Sequence, residues 1–138
     1  MKFVTYTNID DEKPRFGIKR DDEIVDVIRS AIWVNENNKD ATFLTIPTTI
    51  KLALGNWDIN FSKLKGLNQA IPDSDLSSLE ANGKPIAIKE SEASLLPPVP
   101  NPDTFRDFYA FEQHVKAARK LRGMEMHPDW YKIPIFYF

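Results

Sequence analysis

Residues 104–123 read TFRDFYAFEQHVKAARKLRG, and this stretch organises the reading of the whole chain. Its spacing predicts a helix from Thr104 to Gly123. Thr104 can cap the start, Arg119, Lys120 and Arg122 suit the negative C-terminal end, and Gly123 suits the left-handed position just past a helix. Phe108, Phe111, Val115 and Ala118 recur at spacings of three and four and form the apolar stripe. On such a helix Asp107 and His114 stand two turns apart on one face, within about 20° and with Cα atoms roughly 10 Å apart. That separation is too long for a direct hydrogen bond. It suits a metal ion and a small substrate held between a carboxylate and a base. Each residue also has a plainer reading. Asp107 can bond back to the cap amide or favour the positive helix start. Tyr109 and Phe111 can be core aromatics, His114 a structural or surface residue, and Arg122 a partner of the helix dipole.

Just before this stretch lies the main organisational signal. Four of the ten prolines are Pro97, Pro98, Pro100 and Pro102, an extended segment poor in amide donors that reads as a connector. It divides the chain into a small N-terminal α+β domain over residues 1–95 and a second part over residues 96–138. In the first part, Phe3 to Thr7 reads as a strand. Arg15 to Lys19 and Glu23 to Ile28 read as a hairpin turning at Arg20-Asp21-Asp22. Ile24, Val25, Val27 and Ile28 lie on both sides of the second strand, so both of its faces read as partly buried. Ile50, Leu54 and Trp57 predict a helix that Gly55 can end. Phe61, Leu64, Leu67 and Ile71 predict another, weakened by Gly66. Asn82-Gly83 reads as a turn and Pro85 to Lys89 as a short strand.

Composition limits the function. The chain has 138 residues, 42% hydrophobic and 28% charged, which is globular composition. Its net charge is −2, so a bulk nucleic-acid binder, normally basic, is not expected. Through Asp103 there are 12 basic against 16 acidic residues; from Thr104 onward there are 6 against 4, a slight basic excess beside the informative stretch. No cysteine is present, which removes disulfides, thiolate zinc sites and cysteine nucleophiles. His114 and His127 are the two histidines, and His127, next to Pro128, has no assigned role. No apolar run approaches the ~20 residues of a membrane span and no secretory signal is evident, so a cytoplasmic protein without membrane or nucleic-acid partners is expected. Dinucleotide, phosphate-loop, zinc-protease and serine-hydrolase motifs are all missing.

The run Asp107-Phe108-Tyr109-x4-His114, with the Leu95-Leu96-Pro97-Pro98-Val99-Pro100 lead-in and the following Trp130 to Phe138 segment, resembles the start of the catalytic domain in the fumarylacetoacetate hydrolase family. The resemblance covers about residues 95–138; the first ~95 residues resemble the family's small N-terminal domain only in size, order and the Phe16-Gly17-Ile18 hairpin style. It implies an α+β chain in which a small mixed domain precedes the first helix and strand of a β-rich catalytic domain. It also implies that Asp107 ligates Mg²⁺ or Ca²⁺, with Mn²⁺ as an alternative, and that Tyr109 and Tyr137 contact substrate. His114 is then the general base that activates water, and Arg122 binds a substrate carboxylate, a role for which Arg119 competes. The implied activity is hydrolysis of a carbon–carbon bond in a small β-diketo or 2-oxo acid, in a homodimer, as in aromatic amino acid catabolism. Isomerase or decarboxylase chemistry on 2-oxo acids and a non-catalytic binding or regulatory module are the alternatives. The family's Glu-x-Glu pair and the further Asp that goes with it lie well downstream of this histidine; no Glu-x-Glu follows His114 here, and Ile133 to Phe138 read as a strand cut inside a core. The chain by itself is therefore expected to be a fragment with little activity.

Overall fold

The computed structural model describes residues 1–9, 11–38, 43–73 and 75–137, with only the backbone of Asp11. The chain divides into two compact units, Met1–Pro100 and Asn101–Phe138.

The first unit is a mixed α+β domain built on a curled antiparallel sheet. β1 (Lys2–Asn8) pairs with β2 (Asp11–Arg20), with Val4 opposite Gly17 and Tyr6 opposite Arg15. β2 turns through Asp21-Asp22 into β3 (Glu23–Asp26), with Arg20 opposite Glu23. Asp21 takes a positive φ of 44°, a conformation that short polar Asx side chains tolerate. Helix α1 (Val27–Asn37) follows at once. The short helix α2 (Ile50–Gly55) and the longer α3 (Trp57–Ala70) come next, then the hairpin of β4 (Glu80–Ala81) and β5 (Lys84–Pro85). β6 (Ala87–Lys89) and β7 (Ala93–Leu96) complete a five-stranded sheet in the order β6-β3-β2-β1-β7.

Helix α1 corrects the reading of Glu23 to Ile28 as one strand. Asp26 ends the strand by accepting the Arg29 amide at 2.9 Å, an N-cap that starts the helix instead. The expectation that both faces here are covered agrees with the structure, since Ile24, Val25, Asp26 and Val27 are all buried. The signal for the helix was Val27, Ala31 and Val34 at spacings of four and three, all buried.

Helix α2 has Thr49 as its cap, accepting the Leu52 amide at 3.1 Å, and ends at Gly55 as expected. Its buried residues are Ile50 and Ala53; Leu54 and Trp57 stay largely exposed. Helix α3 runs through Gly66, and burial of Leu64 and Leu67 outweighs the roughly 1 kcal/mol that an internal glycine costs. The β4–β5 hairpin turns on Asn82 (φ 54°) and Gly83 (φ 69°), both in the left-handed region a tight two-residue hairpin requires.

The core joins the sheet to the helices through Phe16, Ile18, Val25, Val34, Leu64, Leu67 and Ile86. Arg20 ties the β2–β3 end to the end of α3, donating to Asn68 Oδ1 at 2.9 Å and to the Pro72 carbonyl at 2.8 Å. The sheet extends past residue 95: Leu95 and Leu96 pair with Tyr6 and Thr5. Thr5 Oγ1 then donates to the Pro98 carbonyl at 2.7 Å, and Val99 packs against the core. The leading prolines thus belong to the first unit, and the division lies after Pro100.

In the second unit, β8 (Asp107–Phe108) pairs with β9 (Phe136–Tyr137), and helix α4 (Glu112–Leu121) lies between them in sequence. The expected helix from Thr104 is therefore corrected. Residues 107–108 are strand, and α4 starts eight residues later than Thr104. Phe108 and Phe111 are exposed rather than part of a helical stripe, whereas Val115 is buried. Phe108 instead meets Phe136 across the ladder, with ring centroids 5.3 Å apart. At the other end of α4 the expectation agrees with the structure. Gly123 has φ 70°, its amide donates to the Lys120 carbonyl and the Met124 amide to the Arg119 carbonyl, each at 3.0 Å. This paired closure satisfies the last carbonyls of the helix.

Among the described residues, no helix is long and apolar enough to cross a membrane.

Candidate functional site

The candidate residues lie in the second unit, and the β8–β9 ladder brings the two ends of the motif together. Asp107 stands directly opposite Tyr137, thirty residues away in sequence. Both side chains are exposed. The pairing continues one step beyond the ladder, where the Tyr109 amide donates to the Ile135 carbonyl at 3.0 Å.

Tyr109 is the pivot. The Ala110 amide donates to the Phe108 carbonyl at 2.9 Å, closing a three-residue turn centred on Tyr109. That turn redirects the chain from β8 toward α4 and is the physical reason one continuous helix does not form. Trp130 Nε1 donates to the Tyr109 carbonyl at 2.9 Å, holding the pivot from the other side. Trp130 sits in a single-turn 3-10 segment, Pro128–Tyr131, capped by His127, whose Nδ1 accepts the Asp129 amide at 3.2 Å.

His114 lies in the first turn of α4 and is exposed. Its ring stands edge-on to the Tyr109 ring, with centroids 5.9 Å apart and planes at 89°. This arrangement leaves imidazole edge open to solvent, as a group that exchanges protons with a small molecule requires. The expectation that Asp107 and His114 share a helix face is overturned, because Asp107 lies on a strand and His114 on a helix, with the Tyr109 turn between them.

Arg122 is the C-cap of α4, exposed, and its amide donates to the Arg119 carbonyl at 3.0 Å. Eight residues after His114, it lies about 12 Å further along the helix axis. Asp107 with Tyr137, and Tyr109 with His114, are thus two close pairs, while Arg122 stands at the far end of α4. The competing Arg119 is engaged, donating through Nε to the Glu125 carbonyl at 2.6 Å.

A brace beside the histidine was not evident in the sequence. Glu112 Oε1 accepts from the Tyr131 hydroxyl at 2.8 Å and pairs with Lys116 Nζ at 2.6 Å. Lys116 first, and then the Tyr131 hydroxyl, hold the Glu112 carboxyl below the usual carboxylate range; the same pairing pushes the Lys116 ammonium and the Tyr131 phenol up. Glu112 and Lys116 show the four-residue spacing of a helical ion pair. Tyr131 and Trp130 carry no such pattern, because their partners lie about twenty residues away.

Magnesium or calcium takes six to eight oxygens, some of them from water. Among the described residues, no group of three or more His, Asp or Glu could hold a metal ion. Asp107 offers a single exposed carboxylate, so these residues alone do not make up the metal site that the resemblance implies.

No protein-family model matches the chain, and no match is found among curated proteins.

Proposed function

We propose that the chain supplies the opening part of an active site of the fumarylacetoacetate hydrolase type, which cleaves a carbon–carbon bond in a small β-diketo or 2-oxo acid. The observation that carries this reading is the pairing of Tyr109 with His114 beside the Asp107–Tyr137 rung. In this assignment His114 takes a proton from water, the resulting hydroxide adds to a ketone carbon, and the adjacent carbon–carbon bond breaks. One fragment leaves as a carboxylic acid and the other as an enolate that takes up the proton. The Tyr109 and Tyr137 hydroxyls orient substrate oxygens, and Arg122 draws the substrate carboxylate toward the far end of α4. Asp107 is one anionic oxygen for a divalent cation, whose other ligands are not supplied by the described residues. The alternative reading is a binding module that holds the acid without catalysis.

The test is a nuclear magnetic resonance titration of the chain with acetylpyruvate and with Mg²⁺. Acetylpyruvate should move the Tyr109, His114 and Arg122 resonances, His114→Ala should weaken the response, and Mg²⁺ should bind only weakly. Unmoved resonances refute the site. Tight Mg²⁺ binding or appreciable turnover by this chain refutes the incomplete ligand set. Substrate binding that survives His114→Ala unchanged favours the binding module.

A further inference from the structure

A cavity of about 520 Å³ opens in the first unit, between the end of β1, the start of α1 and the β4–β5 hairpin; its walls include Asn8, Ile9, Arg29, Lys84, Pro85 and Glu92. Arg29 is only 7% exposed. Its guanidinium makes one hydrogen bond, from Nη1 to the Pro85 carbonyl at 3.2 Å, and no ion pair to any described residue. The nearest carboxylate in sequence is already committed. Asp26 Oδ2 accepts from Tyr6 and Arg15, and its Oδ1 accepts the Arg29 backbone amide. A guanidinium carries five N–H donors in a planar fork, and a buried charge is costly unless it is paired. Arg29 therefore retains donors that no described protein group satisfies, at the wall of an open cavity.

Two further side chains define what fits. Lys84, exposed on the β5 side of the hairpin, adds a second positive charge. Glu92, whose carboxylate accepts the Lys89 amide at 3.3 Å, places one negative charge at the same wall. Among the described residues of the wall the balance is one net positive charge. That suits a monoanion and opposes a dianion, since the second negative charge would meet Glu92 without a partner. A carboxylate matches the guanidinium fork with two parallel hydrogen bonds.

We propose that this cavity is a binding site for a small monocarboxylate, held bidentately by Arg29 and steered by Lys84. The site is independent of the function proposed above, since every residue in it belongs to the first unit.

The test is a titration of the full chain with sodium acetate and, separately, inorganic phosphate, at constant ionic strength, followed by amide and arginine Nε–Hε resonances. Acetate should produce saturable shifts at Gly83, Lys84, Ile88 and the Arg29 side chain, and should bind more tightly than phosphate. Lys84→Ala should weaken acetate binding about threefold, and Arg29→Gln should abolish it. Shifts that never saturate, tighter binding of phosphate, or unchanged acetate affinity in Lys84→Ala overturns the proposal. Lys84 is exposed at the hairpin, so that variant decides the matter even if Arg29→Gln fails to fold.

Discussion

Replacing Asp26 by alanine should destabilise the first unit by about 3 kcal/mol, and the structure shows where that figure comes from. Asp26 is 1% exposed and serves three donors at once. Its Oδ1 caps α1 through the Arg29 amide at 2.9 Å. Its Oδ2 accepts the Tyr6 hydroxyl at 2.8 Å and Arg15 Nε at 2.5 Å. Losing an N-cap costs ~1 kcal/mol. The Tyr6 hydroxyl, on a side chain that is 1% exposed, would lose its acceptor, and a buried unsatisfied donor costs roughly 1–3 kcal/mol. Arg15 is 21% exposed in its side chain and can turn toward water, so its share is small. Urea unfolding of the full chain, followed by β1 and β2 amide resonances, reads the change as a midpoint lowered by about 1.5 M, for an m-value of ~2 kcal/mol per molar. The same logic makes Tyr6→Phe partly compensatory, because it removes the orphaned hydroxyl. In the Asp26→Ala/Tyr6→Phe double variant the two losses should fall short of additivity by about 1–2 kcal/mol. Strict additivity, or an Asp26→Ala midpoint within 0.3 M of wild type by the same ~2 kcal/mol per molar slope, refutes the reasoning.

Two further outcomes follow from the same sheet. A Cβ built on Gly17 would lie 2.5 Å from Ile24 Cγ2, and 3.1 Å from both Tyr6 Cε1 and Val4 Cγ2, so Gly17→Ala should lower stability by about 1–3 kcal/mol in chemical denaturation despite alanine's smaller entropy loss; a stabilised variant contradicts this packing. Burial first, and then the neighbouring Asp26 carboxylate, push the Tyr6 phenol well above its ordinary value, so the folded state keeps this proton where the unfolded chain releases it. Stability should therefore hold up to about pH 10 and then fall at up to ~1.4 kcal/mol per pH unit until the folded-state phenol itself ionises. Tyr6→Phe should remove that share of the alkaline loss, and an unaltered pH profile would count against it.

The local parts of this fold were legible where one residue type carries one instruction. Asn82-Gly83 set a hairpin turn, Gly55 and Gly123 ended helices, and Leu64 and Leu67 marked the face of α3. Helix α1 was missed because Val27, Ile28, Ile32 and Trp33 are residues that also suit strands, and a single capping carboxylate decides between the two. The start of α4 was misplaced for a different reason. Asp107-Phe108 has nothing strand-like about it alone; it becomes strand by pairing with Phe136-Tyr137. That partner lies about thirty residues away, beyond the reach of any periodicity. The candidate site was legible as a set of residue types at set spacings. Its geometry was not, because the seven-residue interval between Asp107 and His114 contains a turn rather than two turns of helix.

The position of β7 carries a consequence for biosynthesis. β1 leaves the ribosome well ahead of its outer neighbour, which is made of residues 93–96, and Thr5 completes its bonding only with Pro98. Until those residues emerge, the nascent chain holds β2 on one side of β1 and an open hydrogen-bonding edge on the other. Such contacts, some ninety residues apart, are late to form and leave unpaired strand edges available to other chains. The proline-rich lead-in is therefore the last piece to close the first unit during synthesis, and a pause or truncation before residue 93 would release a domain with its first strand uncovered.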